Sequence, residues 1–494
     1  MNMDNVIAGF TLLFSDLSVW LIVIPGILIG LIFGAIPGLQ ISVAMAIFLP
    51  FTLYMDFMQA MLLLTAIFTG GSIPAILMNI PGTSSSIATT FDGYPMSVRG
   101  EHNTALGIGL GASCIGVIIG YSVLFFVIGP ISEIVLKLGP AEMAMVILWG
   151  ITLIASLSGA KLNKGIISGL VGLLIGTVGY SEVGATRGTM GSAYLLDGIP
   201  EIPAMMGMFA ASELFKLVNS SYLVEDKSLR KVSISKIFSG FLQAFHYPVA
   251  LIRGSLIGLI VGAVPGVGSS VASLMSYIQA RRKDKNPESF GKGNPAGIVA
   301  AEAANSTSEA GSMSTLLALG IPGGGATAVM LAAFTMHNIT GGPQFIRVQT
   351  SVVYAIIFAN FGQAFFLIIL VLMFLPLLEN IVKVPMNYLV PSVLAVAVFG
   401  AFGLTGDLTG PITLMVFSLI GWLFKRFDYS VPSAVIGLLL GGMAEESLIF
   451  SYQISGGLWR YLLERPVAIF ILMMMIVSLF GGKFLSMLTR KIKQ

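Results

Sequence analysis

Four proline–glycine pairs in this chain interrupt apolar segments, and polar residues or glycines follow each pair. The pairs are Pro37-Gly38, Pro81-Gly82, Pro265-Gly266 and Pro322-Gly323. Proline removes a backbone donor and glycine permits a positive φ, so a helix must unwind at each pair. The unwound ends present free N–H groups and a positive dipole end to an anion. Freed carbonyl groups can coordinate Na⁺. The pattern predicts that backbone groups bind a charged solute.

The residues around the four pairs form two candidate sets. The candidate substrate-binding residues are Asn79, Pro81, Gly82, Thr83, Ser84, Ser85, Ser86, Asn305, Pro322, Gly323, Gly324, Gly325 and Thr327. The candidate cation-binding residues are Pro37, Gly38, Gln40, Ser42, Pro265, Gly266, Gly268, Ser269 and Ser270. We expect Na⁺ or H⁺ as the coupling ion, no other metal and no cofactor. A single Pro-Gly pair could equally mark a surface loop, but four duplicated pairs favour a substrate site.

The composition indicates that these pairs lie in a membrane protein. The chain has 494 residues, of which 56% are hydrophobic and 10% are charged, whereas a soluble domain carries about 25% charged residues. Nearly every window of ~20 residues is apolar enough to span a bilayer. We therefore predict an all-α, polytopic membrane protein with about 12 transmembrane segments. The net charge of +3 gives no argument for a nucleic-acid partner.

An internal repeat organises the chain. Residues 26–45 and 254–273 are identical at 13 of 20 positions with a constant offset of 228, and the Ile-Pro-Gly sequences at 80–82 and 321–323 form a second repeated pair. Repeats of this kind indicate a duplicated structural unit. The predicted division is a first transmembrane repeat (1–218), a cytoplasmic linker (219–249), a second repeat (250–452) and an extra helix with a basic tail (453–494).

The placement of lysine and arginine predicts that the two repeats are inverted. Basic residues follow the third Pro-Gly pair at positions 281–283 and 285, while the equivalent place in the first copy, around Asp56, has none. Positive loops lie in the cytoplasm, so matching loops face opposite sides. Each arm around Pro265 is only ~15–21 Å long, against a ~30 Å hydrocarbon core, which predicts re-entrant or broken helices.

Several acidic residues have less specific settings. The segment Glu302–Glu309 is polar within an apolar half, and either lines the cavity opposite the Pro-Gly pairs or begins an interfacial helix. Glu213, Glu445 and Glu446 fall in the last span of each half, where an ionisable residue either carries a proton or lies at a helix end. Asp92 and Asp197 lie in loops marked by Gly and Pro and are interpreted as structural caps or turns.

The motifs together resemble the TctA family, the large membrane subunits of bacterial tripartite tricarboxylate transporters. They are Gly34-Ala35-Ile36-Pro37-Gly38, Asn79-Ile80-Pro81-Gly82-Thr83, Asp92-Gly93-Tyr94-Pro95-Met96, Glu302-Ala303-Ala304-Asn305 and Gly320-Ile321-Pro322-Gly323. The family commonly has a second Asn where this chain has Ser306. The resemblance implies a multi-pass protein of the bacterial inner (cytoplasmic) membrane. It also implies a small membrane subunit (TctB-like) and a periplasmic solute-binding protein (TctC-like) as partners.

The sequence thus predicts the large permease subunit of a cation-coupled, secondary active uptake system, a symporter for tricarboxylates or other organic carboxylates. An elevator-like motion is expected by analogy only. A membrane-embedded enzyme and an anion channel are the alternatives. No paired Asp motif, Ser/His pair or His-Glu-x-x-His motif occurs, so we predict no catalytic residues and no enzyme activity.

Overall fold

The computed structural model describes the chain as a helical assembly, over residues 3–15, 18–34, 41–68, 73–78, 83–157, 162–181, 183–212, 233–265, 267–381, 386–457, 461 and 464–476. The first half contains α1 (Met3–Phe14), α2 (Ser18–Leu21), α3 (Val23–Gly34), α4 (Ile41–Phe48), α5 (Phe57–Ile67), α6 (Ile73–Met78), α7 (Ile87–Val98), α8 (His102–Val135), α9 (Pro140–Leu157), α10 (Leu162–Gly176) and α11 (Glu201–Met206). The second half contains α12 (Ile234–Gln243), α13 (Pro248–Gly262), α14 (Gly268–Lys283), α15 (Pro295–Leu319), α16 (Gly325–Met336), α17 (Pro343–Val348), α18 (Thr350–Ile381), α19 (Met386–Thr405), α20 (Thr409–Arg426), α21 (Val431–Ile454) and α22 (Pro466–Ile476).

The predicted all-α polytopic class is confirmed. Within the described residues, three helices are long and apolar enough to cross a membrane, namely His102–Val135, Thr350–Phe374 and Val431–Ile454. Two bent helix pairs raise the count to five if each pair forms one span; α1 meets the segment 18–34 at 67°, and the segment 234–246 meets α13 at 81°. The other apolar helices have 10–17 residues, shorter than the ~20 that a full crossing needs. The predicted number of about 12 segments remains a prediction.

The order of elements repeats along the chain. Both halves open with a bent pair, α1 to α3 and α12 to α13, and the offset of 228 places α3 on α13. Further along, α4 corresponds to α14, α7 to α16, and the long α8 to the long α18. The second half contains the single helix α15 where the first has α5 and α6 on either side of residues outside the described ranges. These equivalences agree with the repeat in the sequence, while the predicted division into units remains untested.

Equivalent helices pack across the halves in a reciprocal way. The first helix of each half lies on the long helix of the other half, because glycines permit the approach: a methyl group at Gly9 would lie 2.6 Å from the Ser351 carbonyl oxygen, and one at Gly107 would lie 2.0 Å from the Ile237 carbonyl oxygen. Close helix packing through small residues is typical of membrane proteins, where burial in lipid provides little driving force. This reciprocity is what a two-fold relation between the halves produces.

The long helices α8 and α18 begin at opposite ends of the molecule. The ring of Tyr354, the fifth residue of α18, lies 5.7 Å from the ring of Phe125. Phe125 is 23 residues beyond His102, which is ~35 Å along α8 at 1.5 Å per residue. That distance exceeds the thickness of a hydrocarbon core. Two equivalent helices that start a bilayer apart support the predicted inversion.

Basic residues from both halves meet beside the loop that precedes α15. Arg99, at the end of α7, donates hydrogen bonds to the carbonyl oxygens of Lys292 (2.6 Å) and Gly293 (3.1 Å). These contacts place Arg99 beside the loop that follows Arg281–Lys285. Arg99 comes from the first half and the loop from the second, so segments of both halves present positive charge here, as predicted for a cytoplasmic face.

Asp92 differs from its sequence interpretation in position, whereas Asp197 lies in a turn, as interpreted. Asp92 lies within α7 and is buried, so it is not in a loop. Its side chain nevertheless caps the backbone N–H groups that precede α15. Its Oδ1 accepts hydrogen bonds from the backbone N–H groups of Gly291, Gly293 and Asn294, each at 2.8 Å, just before α15. Near Asp197 the chain forms a small antiparallel ladder, β1 (Gly179–Tyr180) and β2 (Thr186–Arg187). Within the described residues this ladder is the only β-structure.

Candidate substrate site

Each Pro-Gly pair is followed by the N-terminus of a helix. These helices are α4, the 3₁₀ turn Ser84–Ser86 that continues into α7, α14 and α16. None of them has an acidic residue in its first turn. The first N–H groups of a helix lack intrahelical partners, and its N-terminus carries about half a positive charge. Each segment is thus a potential anion-binding element.

The fold brings these N-termini together. A methyl group at Gly325 would lie 3.4 Å from Ser42 Oγ, and one at Gly324 would lie 3.8 Å from the Cα of Gly268. The turn Ser84–Ser86 packs against both α14 and α15. The segments after the first, third and fourth pairs are therefore in van der Waals contact, and the segment after the second pair packs on the same helix, α14.

Each Pro-Gly pair with the residues directly around it is called a tip. Residues of the third and fourth tips are also neighbours. A methyl group at Gly150 of α9 would lie 3.3 Å from the Ile321 side chain and 3.6 Å from Pro265. Both proline-containing segments therefore border the same position on α9. Among the residues of the four pairs that the structure describes, Pro265, Pro322 and Gly323 are buried in the helix assembly, which is where non-helical backbone is tolerated at membrane depth.

Two of the turns have the same hydrogen bonds at equivalent positions. In the first half, Ser86 Oγ accepts from the Thr83 N–H at 3.2 Å and donates to the Thr83 carbonyl at 2.8 Å. In the second half, Thr327 Oγ1 accepts from the Gly324 N–H at 3.0 Å and donates to the Gly324 carbonyl at 3.1 Å. Ser86 and Thr327, both predicted to bind substrate, thus stabilise their own turns. The turns position the N–H groups of the residues between.

The turn in the first half has a further hydroxyl pair. Thr83 Oγ1 and Ser85 Oγ lie 2.8 Å apart. Ser85 is 6% exposed and Thr83 is half-buried. The equivalents of Thr83 and Ser85 in the second half are Gly324 and Ala326, which have no hydroxyl group. Of the two equivalent turns, only the first-half turn therefore has hydroxyl groups besides the one that caps the turn.

The carbonyl groups freed before Pro265 already have partners. Ser312 Oγ donates to the Gly262 carbonyl at 3.1 Å, and Thr315 Oγ1 donates to the Ala263 carbonyl at 3.2 Å. Both hydroxyl groups belong to α15. Satisfying freed backbone groups in this way makes a broken helix stable in a membrane. It also leaves these two carbonyl oxygens less available as Na⁺ ligands than the sequence interpretation assumed.

The polar segment Glu302–Glu309 lies in the middle of α15, so the interpretation as an interfacial helix start is wrong. Glu302 is buried and accepts hydrogen bonds from the hydroxyl groups of Thr89 and Ser113. Asn305 Oδ1 and Glu309 Oε1 are buried without a hydrogen-bond partner in the described part of the chain. The same side of α15 leads to Ser312, whose Oγ would lie 2.5 Å from a methyl group at Gly323. This polar side of α15 thus approaches the tip of the fourth pair.

One contact at the site and one ion pair elsewhere in the described chain were not predictable from the sequence. Phe209, in a π-helical turn after α11, would lie 3.7 Å from a methyl group at Gly325. Glu445, which the sequence left as a proton carrier or a helix-end residue, forms an ion pair with Arg187 of β2. That pair joins the small ladder to α21 and gives Glu445 a structural partner.

Some predicted residues cannot be placed. Pro37, Gly38, Gln40, Asn79, Pro81, Gly82 and Gly266 lie outside the described residues, as does the side chain of Ser84. The same holds for Glu213 and for most of the linker. Ser269 and Ser270 lie in the first turn of α14 and are half-buried. The Ser269 carbonyl accepts a hydrogen bond from Ser273 Oγ at 2.9 Å.

Comparison with known proteins gives a family match over most of the chain. Residues 20–436 match the model of the tripartite tricarboxylate transporter TctA family. An "Uncharacterized 52.8 kDa protein in TAR-I ttuC' 3'region" of Agrobacterium vitis is 30% identical over 476 residues, covering 94% of this chain and 93% of the relative. A second protein of that organism, from a TAR-II ttuC' 3'region, is 29% identical over 211 residues, 43% of this chain and 87% of the relative. No solved structure matches the chain.

Proposed function

Because the chain belongs to the tripartite tricarboxylate transporter TctA family, and is thus a membrane transport protein and not an enzyme, we propose that it imports an organic carboxylate across the bacterial inner membrane. In this proposal the chain is the large permease subunit. It works with a small TctB-like membrane subunit and a periplasmic TctC-like binding protein that delivers the substrate. The gradient of a cation drives the uptake.

The observation that carries this proposal is the convergence of helix N-termini. Ser42, Gly268 and Gly325 begin three helices that meet within van der Waals distance, and the turn at Ser84–Ser86 adds a fourth. Three N-termini, each equivalent to about +0.5 charge, are neighbours and the fourth turn packs on one of their helices, α14. None of the four has an acidic residue in its first turn. Such a region attracts an anion more strongly in a low-dielectric interior than in water.

We assign substrate binding to the second and fourth Pro-Gly pairs and cation binding to the first and third. The N–H groups after Gly324, together with the hydroxyl groups of Thr83 and Ser85, hold the carboxylate groups. Na⁺ or H⁺ binds beside the first and third tips, where Ser42, Ser269 and Ser270 supply oxygen atoms. Asn305 Oδ1, a buried acceptor without a partner in the described part of the chain, offers a hydrogen bond to a substrate hydroxyl group or to bound water.

The inverted arrangement supplies a route for alternating access. Two inverted halves around one central site can exchange the outward and inward conformations by moving one packed body against another. The dense glycine contacts between α13 and α15 make that helix pair a rigid body; a methyl group at Gly262 would lie 2.2 Å from the Ser308 carbonyl oxygen. The tip at Pro265 therefore moves with α15.

Uptake into proteoliposomes tests the proposal. The chain is reconstituted with its small subunit and binding protein, and uptake of labelled citrate, succinate and tartrate is measured with a Na⁺ gradient, with a pH gradient and with neither. We expect saturable accumulation above equilibrium for one of these acids, dependent on one gradient. Passive, unsaturable flux would favour the anion channel, and chemical conversion of the acid would favour the membrane enzyme.

A further inference from the structure

A surface cavity of about 720 Å³ lies at the C-terminal end of α14, away from the convergent tips. Arg281 and Arg282 lie at its rim, and Leu274, Ile278 and Phe91 contribute apolar wall. We propose that this cavity binds the phosphate headgroup of an anionic phospholipid, with the upper part of an acyl chain along α14. This proposal rests on the membrane placement of the chain, and not on the proposed substrate or coupling.

The two arginines have no neutralising partner in the described part of the chain. Neither forms an ion pair or a hydrogen bond there. Asp92 is a buried carboxylate next to the cavity residues Tyr277 and Gly291; its Oδ1 accepts three backbone hydrogen bonds and its Oδ2 accepts one from Tyr277 at 2.9 Å. Both oxygen atoms of Asp92 therefore already accept hydrogen bonds from groups other than the two arginines. Two guanidinium groups at one rim suit the oxygen atoms of a phosphate.

The apolar wall continues from the arginines toward the middle of the membrane. Leu274, Ile278 and Arg281 are spaced i, i+4, i+7, so they share one side of α14. Leu274 is 40% exposed and Ile278 is 41% exposed, and the row from Leu274 to Arg281 extends ~10 Å along the helix axis. A cationic rim above an apolar side matches a phospholipid, whereas a free phosphate ion would need only the rim.

The cavity wall is held in place by the fold. The ring of Tyr277 lies 5.2 Å from the ring of Phe91 and 5.6 Å from that of Phe290, both in edge-on contact. The Tyr277 hydroxyl is fixed by Asp92, which also holds the loop before α15. A preformed wall reduces the entropy lost when a ligand binds.

The location favours an anionic lipid of the cytoplasmic leaflet. Arg281 and Arg282 lie in the basic region beside the loop that precedes α15, together with Arg99 and Lys292. The cytoplasmic leaflet carries a negative surface potential, and basic pockets on that side bind anionic headgroups. A helix C-terminus also stabilises arginine by itself, so the experiment must separate a binding site from a capping role.

Native mass spectrometry of the purified full chain provides that separation. The protein in detergent is titrated with phosphatidylglycerol, cardiolipin or phosphatidylcholine. The variant R281A/R282A is compared with K283A/K285A, which removes the same charge from the same segment but not from the cavity rim. Ile278→Gln changes the apolar wall without changing the charge, and thermal unfolding checks that each variant is folded.

We expect the wild type to bind phosphatidylglycerol or cardiolipin in preference to phosphatidylcholine. At ~1 kcal/mol for each basic residue, R281A/R282A should weaken that binding about thirtyfold, and K283A/K285A less than about threefold. Ile278→Gln should weaken lipid binding severalfold. If R281A/R282A does not fold, R281K/R282K, which keeps the charge but not the planar fork, should still weaken binding while K283A/K285A does not.

Three results would overturn the proposal. Equal losses in the two double variants would indicate nonspecific attraction to the basic segment. Competition by inorganic phosphate at equal concentration, with no effect of Ile278→Gln, would indicate a site for a free anion. Equal binding of phosphatidylcholine would show that the arginines do not select the headgroup.

Discussion

The turns Thr83–Ser86 and Gly324–Thr327 are equivalent in the repeat and share a backbone arrangement, but they differ in the groups they offer. In both, a hydroxyl group at the fourth position bonds the N–H and the carbonyl of the first. The first-half turn adds Thr83 and Ser85 hydroxyls, whereas the second-half turn has Gly324 and Gly325 and exposes bare backbone. Duplication has kept the geometry of the turn, and divergence has changed its chemistry.

This difference teaches that the two halves contribute unequally to one site. A substrate carboxylate has several acceptor oxygens and can be bound by N–H and O–H donors from opposite sides. An asymmetric pair of turns can therefore orient an asymmetric acid, which two identical turns could not. The four predictions that follow test two points: whether equivalent residues of the two halves stabilise the fold to the same extent, and whether the two turns contribute different groups to substrate binding.

Adding a carboxylate to either turn should have the largest effect. Ala326→Asp and the equivalent Ser85→Asp place a negative charge where we propose that the substrate anion binds. Two like charges at ~4 Å repel by about 4 kcal/mol at an effective dielectric constant of 20, so uptake should fall at least ~100-fold. An acid at a helix N-terminus stabilises the helix by about 0.3–1 kcal/mol, so Ala326→Asp should remain folded.

The matched neutral variant, Ala326→Asn, should retain most of the uptake. Rates are measured with labelled acid in proteoliposomes, and folding by thermal unfolding. Full activity of both aspartate variants would place the anion elsewhere.

Alanine at the equivalent glycines Gly30 and Gly258 should destabilise both halves. A methyl group would lie 2.2 Å from the Ile67 carbonyl oxygen at the first position and 2.4 Å from the Ala304 carbonyl oxygen at the second. Overpacking against backbone costs about 1–3 kcal/mol, so the unfolding temperature should fall in both variants. Gly129→Ala, at a position with no atom within 4 Å, is the control. A loss in only one half would show that the repeats do not share their packing.

Removing the capping hydroxyl should affect the two turns similarly. Ser86→Ala and Thr327→Ala each remove a side chain that bonds both backbone groups of its turn, at a cost of about 1 kcal/mol. The unfolding temperature should decrease by a similar amount in both. Thr327→Ser keeps the hydroxyl group and should restore stability. Unchanged stability in both alanine variants would remove the structural role we assign to these hydroxyl groups.

Ser85→Ala should have the smallest effect and should act on binding alone. Its hydroxyl group lies beside Thr83 and does not cap the turn. Loss of one neutral hydrogen bond of 0.5–1.5 kcal/mol should raise the KM for uptake roughly two- to tenfold without changing thermal stability. Ser392→Ala, on an exposed part of α19, is the control. A KM equal to that of the wild type would show that the hydroxyl groups of the first half do not contact the substrate.

Local sequence was sufficient for the helical membrane class, for the repeat and for the helix breaks at Pro265 and Pro322. Each depends on residues close in the chain: proline and glycine in pairs, apolar windows, and glycines every fourth residue at Gly254, Gly258 and Gly262. These are short-range properties of backbone and solvent. The resemblance carried by the same motifs agrees with the family match.

Tertiary structure alone decided which groups remain available at the site. Nothing near Ser312 in the sequence indicates that its hydroxyl bonds the carbonyl of Gly262, 50 residues earlier, or that Glu445 pairs with Arg187. The sequence around Asp92 indicated a turn or a cap in a loop, and only the fold shows that its side chain caps the start of α15. A buried polar group is hydrogen-bonded in a stable fold. Which group it bonds depends on how helices that are distant in the sequence pack, and no local sequence pattern specifies that packing.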